Sequence, residues 1–231
     1  MSKDASKYPI DETKPLIPSR CLYLVDKPTI RFVDLSASSI ARTLSPEDDR
    51  AHTTSSSHGT ADIHTTAKTE GADAPTTLSL NPKPAGAASV LTRTRTHLVA
   101  TTPDNNTPVA ELSSGGLWSL GQWSLTFPPD SSHSSHEIKP RPVGVGARAD
   151  WFVKDSIPYF WDMVHVGIGG GRMVYKLFNA VDGKRVEVGR FETLKARDKS
   201  GILWLDGGEV DEVVACLTVV ATVNRVESFR A

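Results

Sequence analysis

The chain has 231 residues, with 26 Lys plus Arg against 27 Asp plus Glu and a formal net charge of −1. That length suits one large domain better than two equal ones, and the charge balance excludes the strongly basic character of proteins that draw their affinity from many phosphate contacts, so nucleic acid is not an expected partner. Two cysteines, Cys21 and Cys216, are too few for a disulfide framework, and Cys216 lies in an apolar run where it reads as a small hydrophobe.

Residues 1–18 carry charges and prolines where a signal peptide would need an apolar stretch. They are expected to form a flexible lead-in to a domain spanning 19–231, in a reduced, intracellular, cytoplasmic setting. Cys21 to Val25 and Thr29 to Leu35 flank Asp26-Lys27-Pro28 and read as a hairpin pair. From Ser45 to Thr77, 12 of 33 residues are Ser or Thr, no aromatic occurs and acidic residues outnumber basic ones six to two. Such a stretch buries too little apolar surface to offset the entropy of ordering it, and it reads as a disordered insertion between two strands. Without it the balance becomes 24 basic against 21 acidic residues, so the remainder is mildly basic.

Further strands follow by alternation and turn chemistry. Ser89 to Ala100 alternates apolar or Thr residues with Arg93, Arg95 and His97; Val109 to Leu112 follows the turn signal Asp104-Asn105-Asn106. Leu117 to Phe127, Asp150 to Lys154, Ile157 to Met163, Arg172 to Phe178, Arg185 to Phe191 and Ile202 to Leu205 continue the series. The total is roughly ten to twelve strands, with no βαβ alternation, as in an antiparallel sandwich or barrel. Of the 16 aromatic residues, 13 lie at Trp118 or later, so the C-terminal half supplies most of the core.

Glu209 to Ser228 is different: 20 residues without Gly or Pro, about four times an ordinary strand. It reads as a helix, with Asp206 as cap and Glu209 completing a capping box. Val210, Val213, Val214, Leu217, Val220 and Ala221 mark one apolar side, and Ala215, Cys216, Val219 and Val223 make the other side apolar too. A helix apolar all round is buried all round. Its longest apolar stretch, Val213 to Val223, has 11 residues, whereas a spanning helix needs roughly 20, so no transmembrane segment is expected.

Ala149-Asp150-Trp151-Phe152-Val153-Lys154-Asp155-Ser156-Ile157-Pro158-Tyr159-Phe160-Trp161, then Tyr175-Lys176, Val188-Gly189-Arg190-Phe191 and Val210-Asp211-Glu212-Val213-Val214-Ala215, resembles fungal proteins with a tubby C-terminal-like domain. The LURP-one-related proteins and the phospholipid scramblases belong to the same superfamily. The resemblance covers about Trp118 to Val226 well and Cys21 to Leu35 loosely. It implies a mainly β fold, a closed antiparallel barrel of about twelve strands whose lumen is filled by the terminal helix. It also implies binding to membrane phosphoinositides through basic residues of the barrel surface, although no family position transfers one by one. The proline-rich and cysteine-rich segments of scramblases do not occur, so scrambling is not expected.

The constellations that suggest chemistry have simpler readings. Gly167-Ile168-Gly169-Gly170-Gly171 precedes a strand pattern rather than a helix, so it reads as a hairpin tip and not a phosphate loop. Ser119 between Gly116 and Gly121 has the wrong spacing for a nucleophile elbow. His133-Ser134-Ser135-His136 lacks further ligands for a metal, His52, His58 and His64 fall in the insertion, and Asp162 with His165 has no nucleophile beside it. No catalytic residue, metal or cofactor is therefore expected. Arg93, Arg95, Arg172, Lys176, Lys184 and Arg185 remain, as cations on strand faces or a hairpin tip that could attract anionic phospholipid headgroups at about 1 kcal/mol each. The sequence thus points to a non-enzymatic barrel acting as a peripheral phospholipid-binding or adaptor module. The alternative is a scaffold for protein partners, regulated by phosphorylation of the Ser/Thr-rich insertion.

Overall fold

A computed structural model describes residues 7–38, 40–42, 58–83, 96–104, 107–115, 121–144, 149–165, 173–193 and 199–228. Twelve antiparallel strands form one sheet: β1 (Arg20–Val25), β2 (Ile30–Asp34), β3 (Thr76–Pro82), β4 (His97–Thr101), β5 (Pro108–Ser114), β6 (Trp123–Thr126), β7 (Arg141–Pro142), β8 (Ala149–Lys154), β9 (Ile157–His165), β10 (Met173–Val181), β11 (Lys184–Thr193) and β12 (Gly201–Leu205). Their order is β6-β5-β4-β3-β2-β1-β12-β11-β10-β9-β8-β7. The two ends of that order meet. The chain entering β7 lies along β6, with the Leu125 amide donating to the Ile138 carbonyl at 2.8 Å, the Ile138 amide returning to the Leu125 carbonyl at 3.0 Å, and the Trp123 amide donating to Pro140 at 2.9 Å. The sheet is a nearly closed barrel, which removes the exposed edges an open sheet would present.

Two hairpins use two-residue turns with both central residues at positive φ, the geometry that matches strand twist. Asp155 (49°) and Ser156 (67°) join β8 to β9, and Asp182 (53°) and Gly183 (76°) join β10 to β11. The expected strands appear with shifted ends. β3 and β7 were not foreseen: Leu78 and Leu80 carry the alternation of β3, but that strand begins inside the stretch read as an insertion.

The interior is filled by helix α2, which spans Glu212–Ser228. Every residue from Val214 to Val223 is buried, and ten successive residues make almost three turns, so no face of the helix looks outward. Leu22, Leu112, Trp161, Tyr175 and Leu203 of the strands join Val214, Leu217 and Val219 of the helix in one core. The Trp161 indole donates to the Thr218 hydroxyl at 3.0 Å, and that hydroxyl in turn donates to the Val214 carbonyl at 2.8 Å, so the buried Thr218 side chain is satisfied.

The helix starts three residues later than expected. Asp206-Gly207-Gly208-Glu209 is a turn, with the Gly208 and Glu209 amides bonded to Asp206, and the cap is Asp211, whose carboxylate accepts from the Val214 amide at 2.9 Å. At the far end the Arg225 Nε lies 2.8 and 3.0 Å from the two carboxylate oxygens of Asp150, both residues buried. Burial pushes the Asp150 carboxyl up, opposed by the Arg225 guanidinium and the Thr222 hydroxyl.

A second core lies outside the barrel. Cys21, Tyr23, Val33, Ile202 and Trp204 point outward from β1, β2 and β12, and Leu16, Ile40 and Ala67 cover them. Ala67 belongs to helix α1 (His58–Asp73), whose Gly71 comes so close to β1 that a Cβ there would meet the Tyr23 ring at 2.9 Å. This corrects the reading of Ser45 to Thr77 as disordered. From His58 on it is a helix and then the start of β3; residues 45–57 lie outside the described residues. The helix, with Leu16 and Ile40, covers apolar side chains of β1 and β2 that would otherwise face water. They also explain why β12 is buried along its whole length, on both faces.

Val219 sits at the centre of the enclosed helix with no measurable exposure. Val219→Asp is expected to lower unfolding stability by several kcal/mol, roughly 3–5, since the new carboxylate would have neither water nor a partner. Denaturant unfolding checks this, and a loss near zero would place the helix at the surface.

Candidate functional site on the outer wall

The outward residues of β9, β10 and β11 make a wall of mixed charge. Strand alternation sends Phe160, Asp162 and Val164 of β9 to the side opposite the core residues Tyr159, Trp161 and Met163. Lys176 is opposite Asp162 on one side and Arg190 on the other. A groove of about 540 Å³ opens here, lined by Asp162, Val164, Lys176, Phe178 and Glu187 of the wall and by Ile10, Asp11, Glu12, Lys14 and Pro15 of the N-terminal segment.

That segment corrects the expectation of a flexible residue range 1–18. Residues 1–6 lie outside the described residues, but from Lys7 onward the chain is fastened to the barrel. Ile10 bridges Arg185 in parallel register, the Arg185 amide donating to Pro9 at 2.9 Å and the Asp11 amide donating to the Arg185 carbonyl at 2.8 Å. The Arg185 Nε also donates to the Tyr8 carbonyl at 2.9 Å, and the Tyr8 ring is 5.8 Å from that of Phe160. Leu16 is tucked into the outer core. The physical reason is a free strand edge: β12 pairs with β11 only over Gly189–Thr193, and the first half of β11 runs on past it.

Lys176, Lys184 and Arg185 are thus brought to one region, each beside a carboxylate. Arg185 pairs with Asp162 at 2.7 Å, Lys176 with Glu187 at 3.4 Å, and Lys184 with Asp11 at 3.5 Å. Arg190, which sequence reasoning did not single out, shares Glu187 at 2.7 Å. The Thr13 hydroxyl and amide, with Lys184, hold the Asp11 carboxyl below the usual carboxylate range. The Arg185 guanidinium lies 5.1 Å from the Phe178 ring centre and 6.0 Å from that of Phe160, so it is held between aromatic faces as well as by Asp162. Arg93, Arg95 and Arg172 lie outside the described residues. The carboxylates Asp162 and Glu187 were the missed signal: Glu187 lies on the strand next to Lys176, and Asp162 meets Arg185 across the intervening β10, relations visible only once the strand order and register are known.

The other constellations do not converge. His133 approaches Asp211 at 3.0 Å by its Nδ1, whereas His136 is engaged locally with Ser134. Asp162 is taken by Arg185 rather than serving a nucleophile. Gly167 to Gly171, Ser119 and His52 lie outside the described residues. Among the described residues no group of three or more His, Cys, Asp or Glu side chains could hold a metal ion, and no helix is long and apolar enough to cross a membrane.

Both thiols are enclosed. Burial, with Asp34 nearby, pushes Cys21 up to about 12, and burial with Glu212 and Asp211 raises Cys216 far above an ordinary thiol. Neither forms thiolate at neutral pH. Iodoacetamide at pH 7.5 is expected to leave both unmodified in the native protein and to alkylate both after unfolding; mass spectrometry checks this, and prompt native-state alkylation of either would contradict the burial. Comparison with protein-family models, curated proteins and solved structures finds no match to this chain.

Proposed function

We propose that this chain is a non-enzymatic, tubby-like barrel that serves as an adaptor, binding a protein partner with the outer wall of β9, β10 and β11. The observation that carries this reading is the balance of that wall. Each of its cations is neutralised within about 4 Å by a carboxylate of the same chain, so it presents paired charges and apolar patches rather than one sign of potential. Mixed charge over apolar ground suits a protein surface, where complementary polar groups fix orientation. A continuous anionic bilayer calls instead for unneutralised cations. With the interior occupied by α2, a hollow carrier or enclosed active site has no room, and binding falls to the outside.

Peripheral contact with anionic headgroups is the second reading. It is favoured by the β10–β11 hairpin tip, where the Lys184 side chain is 58% exposed next to Val181 at 41%, an amine and an aliphatic group presented together.

Two measurements separate the readings. In flotation with vesicles of neutral lipid, with and without phosphoinositide, the adaptor reading predicts equal partitioning; phosphoinositide-dependent flotation abolished by Lys184→Glu would select the lipid reading. In quantitative affinity purification from the source cell, Lys176→Glu with Arg190→Glu is expected to lose specific partners that the unaltered chain retains. An unchanged partner set would contradict the assignment to this wall.

A further inference from the structure

The N-terminal segment does more than decorate the wall: through an isolated β-bridge at Ile10 it pairs with an edge that would otherwise be open. We infer that the Arg185 edge of β11 is a strand-addition site, closed in this structure by residues Tyr8 to Asp11, and that it fits an extended segment of a partner protein carrying an aromatic ring three residues ahead of a carboxylate. The inference rests on the adaptor reading and names the partner's chemistry.

Three features of the edge select that chemistry. Main-chain pairing is available at Arg185, whose amide and carbonyl are both taken by the segment at 2.9 and 2.8 Å in parallel register. An aromatic ring is received by Phe160, which the Tyr8 ring meets at 5.8 Å, next to the Arg185 guanidinium. A carboxylate three positions on is received by Lys184, which Asp11 reaches at 3.5 Å. Tyr8-Pro9-Ile10-Asp11 therefore shows in place the pattern a partner would have to copy.

The same features make the segment displaceable. Pro9, Ile10 and Glu12 to Pro15 are exposed, and the ion pair to Lys184 is long, at 3.5 Å, with its lysine end in solvent, where such pairs add little. Regions with few buried contacts and solvent-exposed hydrogen bonds open at low cost. A tethered occupant competes through its local concentration, not through strength of contact, so a partner gains access when the tethered segment is weakened or outnumbered.

The test uses the full chain and a fluorescein-labelled synthetic peptide with the sequence of residues 5–15, followed by fluorescence anisotropy. A chain bearing Tyr8→Ala and Asp11→Ala is expected to bind the peptide at least about tenfold more tightly than the unaltered chain, because its own segment no longer competes. Peptides carrying Tyr8→Ala or Asp11→Lys are expected to bind the weakened chain about tenfold less well, a control that leaves the protein's fold untouched. Equal binding to both chains, no binding to the weakened chain, or indifference to both peptide changes would overturn the inference. So would concentration-dependent dimerisation of the unaltered chain that Tyr8→Ala abolishes, which would assign the edge to a second copy. If the peptide fails while Lys176→Glu with Arg190→Glu still loses partners in affinity purification, the strand-addition site falls and the adaptor reading stands.

Discussion

An apolar helix enclosed by a ring of strands sets the terms for the whole molecule. Burying a Val or Leu side chain contributes about 1.5–3 kcal/mol, and α2 places Val214, Leu217, Val219, Val220 and Val223 out of water together. Valine is a poor helix former, so this sequence would not hold a helix in isolation; the surrounding strands do it by leaving no other shape that satisfies its backbone. Both ends are tied to the wall. At the N-terminus Glu212 accepts from the Arg20 Nε at 2.6 Å, and Arg20 also reaches Asp34 at 3.0 Å. At the C-terminus the buried Arg225–Asp150 pair places a cation where the helix dipole favours one. Removing one partner of such a buried pair costs about 3–5 kcal/mol, so it fixes the depth and rotation of the helix even where it adds little net stability.

A filled barrel has consequences outside it. Since side chains of β1, β2 and β12 point outward as well as inward, the chain needs a second cover there, and α1 with Leu16 provides it. On the other side, among the described residues, β9 to β11 are covered by the extended N-terminal segment, which leaves a groove and a lattice of paired charges. One flank is thus structural and sealed; the other is polar, partly open and closed by a segment held at a few points. The proposed binding functions lie on the second flank because that is where the fold leaves surface uncommitted.

How much of this could be read from the sequence follows from which interactions are local. Apart from the two-residue β7, the strands after Trp123 announce themselves by alternation, Asp182-Gly183 by turn chemistry, and α2 by twenty residues without Gly or Pro. The mainly β barrel follows from them. The cap was placed wrongly because Asp206-Gly207-Gly208-Glu209 and Asp211-Glu212 both have capping chemistry, and only the burial of the helix body decides between them. Helix α1 was missed because its order comes from Tyr23 and Val33, far away in the chain, and not from its own polar composition. The wall was half legible: Lys176, Lys184 and Arg185 stood out as cations, but their partners Glu187, Asp11 and Asp162 come from cross-strand register and from the returning N-terminus, which no local pattern reveals.

Enclosure of α2 is tested most directly by native-state hydrogen exchange. Amides from Ala215 to Thr222 are expected to exchange only through global unfolding, with the same free energy and denaturant dependence as the best-protected amides of β10 and β12. Exchange of that helix by local opening, while those strands stay protected, would contradict an enclosed helix and return it to the surface.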